Sequence, residues 1–170
     1  MTNPTNQPNL PIIGRAERID LPDYSLRGLP AKIDTGADIS SLWASDIKET
    51  DDGRLQFVLF GPKSEHYTGK MVTLPAEDFK LTRIANSFGQ HQMRYKVTLR
   101  IRVRNRLIRA TFTLSDRSRK TYPILLGRRL LQGKFLVDVR VGQPLADIER
   151  AKREKLQAML ENQDDTKEQS

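Results

Sequence analysis

With 170 residues, no cysteine and two histidines, the chain has room for one domain with a real core, and it excludes disulfides, thiolate nucleophiles and cysteine-ligated zinc. A hydrophobic fraction of 37% and a charged fraction of 29%, with no apolar run of the roughly 18 residues that span a bilayer, give no membrane partner. The formal net charge of +8 predicts attraction to anions; between Arg83 and Arg140 only Asp116 and Asp138 interrupt the arginines and lysines, so the positive charge belongs to the middle of the chain.

Residues 1–10 are polar and proline-containing and are expected to form a disordered arm. Nothing there reads as a secretory signal, so the cytoplasm is the expected location. LPIIGRAERIDLP reads as a strand. LPAKIDTGADISSLWASDI reads as strand, tight turn and strand, with Gly36 expected to supply backbone freedom at the turn. GRLQFVLF follows the turn signal Asp51-Asp52-Gly53 as a further strand, and Gly61 to Gly89 is expected to hold a hairpin and a longer connection. In YKVTLRIRVRNRLIRATFTLSD, Val97, Leu99, Ile101 and Val103 alternate with Thr98, Arg100, Arg102 and Arg104, and Ile108, Ala110, Phe112 and Leu114 continue the period of two after a turn near Asn105. This predicts a hairpin with a basic outer face. YPILLGRRLLQGKFLVDVRVG predicts an apolar strand ending at Gly127, a short helical turn through Leu130 and Leu131, and a strand from Phe135 to Val141. LADIERAKREKLQAMLEN carries Leu145, Ile148, Leu156, Met159 and Leu160 at helical spacing, which predicts a helix over 144–162 and leaves an acidic tail, 163–170, expected to be disordered. The whole is a mainly all-β domain over 11–143 with one terminal helix.

One carboxylate stands out. Leu29, Ala31 and Ile33 form an apolar strand-like approach to Asp34, after which Thr35, Gly36 and Ala37 turn the chain, so the pattern predicts an acid carried inward. A buried, unpaired carboxylate costs several kcal/mol or becomes neutral; a compensating group is required. Alone, Asp34 could equally be a turn acid that accepts hydrogen bonds from backbone amides. Trp43 is expected as a core or edge aromatic, and His66 and His91 as surface histidines. Neither histidine has a ligand-spaced neighbour and no phosphate-cradling glycine loop is present, so no metal and no cofactor is expected.

Ala31 to Ser41, AKIDTGADISS, together with ILLGRRLL some ninety residues later, resembles the retropepsin-like aspartic proteases, in which a strand carries the Asp-Thr-Gly-Ala turn and a later apolar strand ends in a Gly-Arg pair. More narrowly, IIGRAERIDLP, LPAKIDTGADISSLWASDI and YPILLGRRLLQGKFLVDV resemble the small bacterial branch called RimB-like, or ATP-dependent zinc protease, over about Ile12 to Val141. The resemblance implies a closed, barrel-type acid-protease fold with a short helix after the Gly-Arg motif, and a peptidase whose Asp34 is catalytic. Such chemistry polarises a water between two carboxylates that cannot both ionise. The chain has one Asp-Thr-Gly, so the resemblance implies a C2 homodimer in which each copy gives one Asp34. It further implies that Thr35 hydrogen-bonds across the axis, that Gly36 and Ala37 line the approach to substrate, and that Asp38 pairs with Arg128. A flap is expected between Gly61 and Gly89, with Gly69 as the guessed tip. Where that branch has a histidine two residues after the second serine, this chain has Trp43, which removes a possible metal ligand.

The association of that branch with ribosomal-protein glutamate ligases implies an acidic peptide or protein substrate, with a glutamate-tailed one as its narrower form. The rival reading is a non-catalytic basic β-domain that binds RNA or ribosomal components through the arginine face. Tyr95 and Phe112 stand alone on those strands, without the interleaved aromatics that stack bases, which ranks nucleic acid second.

Overall fold

The computed structural model describes residues 9–85, 91–141 and 145–167; most of the expected N-terminal arm lies outside them. In chain order the elements are β1 (Ile12–Ile13), β2 (Ala16–Leu21), β3 (Leu26–Asp34), β4 (Ser40–Glu49), β5 (Leu55–Leu59), β6 (Met71–Leu74), β7 (Phe79–Ala85), β8 (His91–Val103), β9 (Arg106–Ser115), β10 (Ile124–Gly127), α1 (Arg128–Leu131), β11 (Leu136–Val137) and α2 (Ala146–Lys167).

Alternation explains the longest hairpin. Val97, Leu99, Ile101 and Val103 of β8 are buried while Thr98, Arg100 and Arg102 are exposed, and β9 buries Ile108, Ala110, Phe112 and Leu114 on the same side. The strands pair antiparallel from Val103–Arg106 to Lys96–Thr113. Hydrogen-bonded neighbours then run β10, β3, β2, β8, β9, β4, and β4 pairs back onto β10, closing a six-stranded barrel. Closure removes the unpaired edges of these strands. β5 and β6 extend from β4, and β7 adds to β8. Leu42, Phe57, Phe60, Ile101, Phe112 and Ile124 are fully buried at the centre, each contributing about 1.5–3 kcal/mol through loss of apolar surface to water. Trp43 belongs to this core, edge-on to Phe60 at 6.5 Å.

Three expectations change in detail. The first strand is broken at Gly14 and Arg15: the Gly14 N–H donates to Glu17 Oε1 (3.0 Å) and the Arg15 N–H to the Val141 carbonyl (3.0 Å). β1 therefore pairs in parallel with β11, while β2 enters the barrel. The strand expected from Phe135 to Val141 shrinks to Leu136–Val137, because the Asp138 carboxylate accepts from the Arg140 N–H (3.0 Å) and the Asp138 carbonyl from the Val141 N–H (3.0 Å); local side-chain bonding outcompetes a ladder. The terminal helix continues to Lys167, since its sequence has good helix formers and neither glycine nor proline. Leu145 and Ile148 pack on Ala16 and Tyr122; the side chains of Leu156, Met159 and Leu160 lie outside the described set. No helix of the described residues is long and apolar enough to cross a membrane.

His66 is a correction too. It is half-buried against the Phe60 ring at 5.8 Å, and burial holds its pKa below the ordinary histidine value, with the Glu65 charge opposing. His91 is exposed, as expected.

Candidate active site

Asp34 ends β3, and the period of two decides which way it points. Leu29, Ala31 and Ile33 are buried, so Lys32 and Asp34 share the opposite face. The acid is consequently half-exposed on the floor of a cleft, and the expectation of an inward-facing carboxylate in the single chain is wrong for that reason. Its Oδ1 accepts the Gly36 and Ala37 N–H groups, both at 3.1 Å, and the Ala37 N–H also reaches the Asp34 carbonyl at 3.3 Å. Gly36 is absent from the left-handed backbone region, and a Cβ there would lie 3.4 Å from Asp34 Oδ1, an ordinary contact, so the backbone freedom expected of this glycine is not used.

The Gly-Arg pair sits directly beside this turn. β10 runs parallel to β3 with Leu126 opposite Ile33 and Gly127 opposite Asp34. A Cβ on Gly127 would meet the Ile39 carbonyl carbon at 2.7 Å, the Ile39 oxygen at 2.8 Å and the Ala37 oxygen at 2.9 Å, so only glycine fits. The Gly127 N–H donates to Ser40 Oγ (3.0 Å) and the Arg128 N–H to the Ala37 carbonyl (2.8 Å). The expected ion pair forms: Arg128 Nη2 is 3.1 Å from Asp38 Oδ1, and Arg129 Nη2, which the sequence reading did not single out, is 2.7 Å from Asp38 Oδ2. With the Arg129 N–H also donating to the Asp38 carbonyl (3.3 Å), two backbone and two ionic links tie the loop after Asp34 to the start of α1.

The cleft encloses about 1280 Å³. Asp34, Gly36, Ala37 and Asp38 line it; Thr35 is exposed at the turn, outside the lining. Its other wall is the β7–β8 hairpin, through Thr82, Ile84, Gln92 and Arg94. This hairpin takes the position of the expected flap. Gly69 lies between β5 and β6 and does not line the cleft, and the hairpin's tip, 86–90, is outside the described residues.

The walls are basic in a way the motifs did not reveal. Lys32, Arg94 and Arg117 face the same space as Asp34. Arg117 donates from Nε to the Tyr122 carbonyl at 3.1 Å. Burial pulls it below the ordinary arginine range, the adjacent Arg94 charge adds to that, and Asp34 opposes both. At the far rim α2 contributes Glu149, which accepts from the Tyr122 hydroxyl at 2.7 Å and pairs with Arg15 at 2.8 Å; burial and that carboxylate push the phenol up. Sequence could not have found Arg117, which lies in a loop without a motif, because only barrel closure brings it beside β3.

Elsewhere the arginine face is partly neutralised within the fold. Arg100 pairs with Asp23, and Arg104 Nη2 reaches the buried Glu17 at 2.9 Å. These pairs reduce the free charge on which the nucleic-acid reading depends. Among the described residues no three His, Cys, Asp or Glu side chains gather as a metal site requires, and Asp38 is committed to two arginines. The donors present among the described residues do not suit zinc.

The chain is 24% identical over 82% of its length to a protein from Desulfotalea psychrophila named "Probable alpha-L-glutamate ligase", and 26% identical over 88% of its length to one of the same name from Parasynechococcus marenigrum. It spans only 30% and 32% of those relatives, about a third of their length. A crystal structure of Lpg0085 from Legionella pneumophila, described as of unknown function (DUF785), superimposes with a TM-score of 0.59 at 27% identity, covering 77% of this chain and 95% of that one. The sequence profile described as "RimB-like: Retropepsin-like aspartic endopeptidase RimB" matches residues 12–143. With that match spanning the barrel, the Asp34 turn and the Gly-Arg pair, the chain belongs to the RimB-like family of retropepsin-like aspartic endopeptidases.

Proposed function

We propose that the protein is an aspartic endopeptidase that works as a homodimer, with Asp34 of each copy forming the catalytic pair. The observation that carries this is the state of Asp34: one carboxylate oxygen is tied to the amides of its own turn, and the group stands on the floor of a large cleft walled by a hairpin. A pure turn acid would need neither the cleft nor the fourfold anchoring of the next loop. With two copies related by a two-fold axis, the two carboxylates hold a water between them and share one proton, because like charges at hydrogen-bond distance do not both ionise. The ionised member takes a proton from the water, whose oxygen attacks the peptide carbonyl. The protonated member donates to the carbonyl oxygen, giving a gem-diol; the member that took the water's proton then passes it to the amide nitrogen while its mate takes a proton back from the diol, and the C–N bond breaks to release amine and acid. Thr35 and Asp38 hold the paired loops, Asp38 through Arg128.

The dimer reading is supported by an apolar edge close to the site. Ile12 and Leu136, opposite each other in the β1–β11 pair, are 53% and 55% exposed, and Val139 is 72% exposed. The Arg15 carbonyl, two residues after β1, accepts the Ile33 N–H at 2.9 Å, so this edge lies next to the strand that ends in Asp34. Exposed apolar strand pairs of this kind favour association.

The substrate in this reading is an acidic, glutamate-rich peptide or protein tail, and the setting is cytoplasmic. Lys32, Arg94 and Arg117 in the cleft support it, as do the glutamate ligases among the relatives. Asp34→Asn is the test: a Glu-containing peptide library is digested while oligomeric state is followed by light scattering. The expected result is loss of cleavage by at least about a thousandfold with dimer and fold intact. Undiminished cleavage by the variant, or a wild type that stays monomeric while cleaving, refutes the reading.

A further inference from the structure

We infer that a second cavity, along the same face of the β7–β8 hairpin as the cleft, is a subsite for an acidic side chain of the substrate several residues from the scissile bond; this rests on the peptidase reading above. The cavity encloses about 320 Å³ and is lined by Lys80, Lys96, Arg109 and Arg129, with Thr98 and Thr111 between them. The hairpin register makes it continuous with the cleft. Ile84 opposite Gln92 and Thr82 opposite Arg94 line the cleft, and the next pair on that face is Lys80 opposite Lys96. Ile39, which follows Asp38, lines both spaces.

Two of these charges, Lys80 and Lys96, form no ion pair among the described residues, whereas Arg129 is held by Asp38. Two lysines directly opposite each other across an antiparallel pair destabilise it. On the same β8 strand Arg100 is neutralised by Asp23, and the turn residue Arg104 by Glu17. Glu77 and Asp78 stand at the cavity rim, yet among the described residues neither forms an ion pair with Lys80 or Lys96. A bound carboxylate between the two ammonium groups removes the repulsion, and Thr98 and Thr111, which line the same cavity, offer hydroxyl groups beside it. Successive pairs on one face are about 7 Å apart, so the Lys80–Lys96 pair lies about 13 Å from the Ile84–Gln92 pair; an extended peptide covers that in about four residues. With the scissile bond taken at the level of the Ile84–Gln92 pair, the subsite reads a glutamate or aspartate about three to five residues away. Arg129 links it to catalysis, since the guanidinium at the cavity wall holds Asp38 Oδ2 at 2.7 Å.

The test uses peptides with one cleavable core and either Glu or Gln at each of those positions. Wild-type kcat/KM is expected to favour Glu at one position by about tenfold, and Lys80→Gln/Lys96→Gln to abolish that ratio. Arg27→Gln/Arg102→Gln, which removes equal charge from exposed sites elsewhere, is expected to keep it. Binding of the same labelled peptides to Asp34→Asn, read by fluorescence anisotropy, is expected to show the same preference and to lose it when Lys80→Gln/Lys96→Gln is added. Thermal unfolding checks that the variants fold. Persistence of the Glu preference in the double lysine variant overturns the subsite, as does an equal loss in the arginine control. Displacement by inorganic phosphate at matched ionic strength, with Glu and Gln peptides bound equally, assigns the cavity to phosphate and overturns it too. Asp34→Asn binding neither peptide has the same consequence. Lysine-dependent binding to Asp34→Asn without any cleavage by the wild type sustains the subsite and sinks only the peptidase reading.

Discussion

Gly127→Ala tests the claim that close approach, and not backbone freedom, holds the active-site loop. The φ of Gly127 is −84°, which any residue adopts, so a helix-start alanine here should be harmless if conformation were the reason for glycine. The added methyl instead meets three backbone atoms of Ala37 and Ile39 at 2.7–2.9 Å. Backbone cannot swing aside as a side-chain end can, so the segment Ala37–Ile39 must move away from β10. Overpacking of this kind costs about 1–3 kcal/mol, and strain on the Arg128 N–H to Ala37 bond adds about 1 kcal/mol. Reduced freedom of the unfolded chain offsets about 0.4–1 kcal/mol. A net loss of about 1–3.5 kcal/mol lowers Tm by about 2–14 °C in a chain of this size. Differential scanning calorimetry and urea unfolding measure it. Gly53→Asn is the contrast, because Gly53 has φ of +74° with open space around its missing Cβ, and asparagine tolerates that region; it should cost little. A Gly127→Ala protein that melts within about 2 °C of wild type refutes the reasoning.

The buried Ser41 and Ser115 hydroxyls are 2.8 Å apart; Ser41→Ala strands its partner and should cost about 1–2 kcal/mol, whereas Ser41→Ala/Ser115→Ala should cost less than the sum of the two single changes, and additivity in urea melts would contradict the pairing. Because burial lowers the His66 pKa in the folded chain, the unfolded state takes up the proton first as pH falls; stability is fully present above the unfolded value near 6.5 and is lost as pH drops toward the folded one. Wild-type Tm should therefore fall more between pH 7.5 and 5 than that of His66→Gln, and parallel profiles would show that the ring is not titrating as described. Ile12→Asp/Leu136→Asp places two carboxylates on the exposed β1–β11 edge. It should raise the dimer dissociation constant at least about tenfold in sedimentation experiments and lower activity with it, while an unchanged constant would move the interface elsewhere.

The hairpin of β8 and β9 was legible because each residue had only two faces to choose between, and the apolar set chose one. The same rule, applied one residue further along β3, would have put Asp34 with Lys32 on the cleft side; the misreading came from following the apolar run past its last member. The Asp-Thr-Gly-Ala turn, Asp38 and the Gly-Arg pair were visible as motifs, and the Asp38–Arg128 pair was implied by the family resemblance they carry. Arg129 as the second partner of Asp38 was not visible, since two neighbouring arginines look alike until α1 fixes which way each points. The strand expected at Phe135–Val141 failed because Asp138 bonds its own neighbours, a competition that hydrophobic pattern does not register.

Local order along the chain thus determined the alternating strands, the turn that presents Asp34, the glycine before Arg128 and the basic middle of the sequence. These depend on contacts between residues close in sequence, or on a side-chain period that the chain carries by itself. Barrel closure decided the rest: that Gly127 lies beside Asp34 across more than ninety residues, and that Arg94 and Arg117 share a cleft with Lys32. Such meetings are fixed by strand order and register, which arise only when every strand has found both of its neighbours.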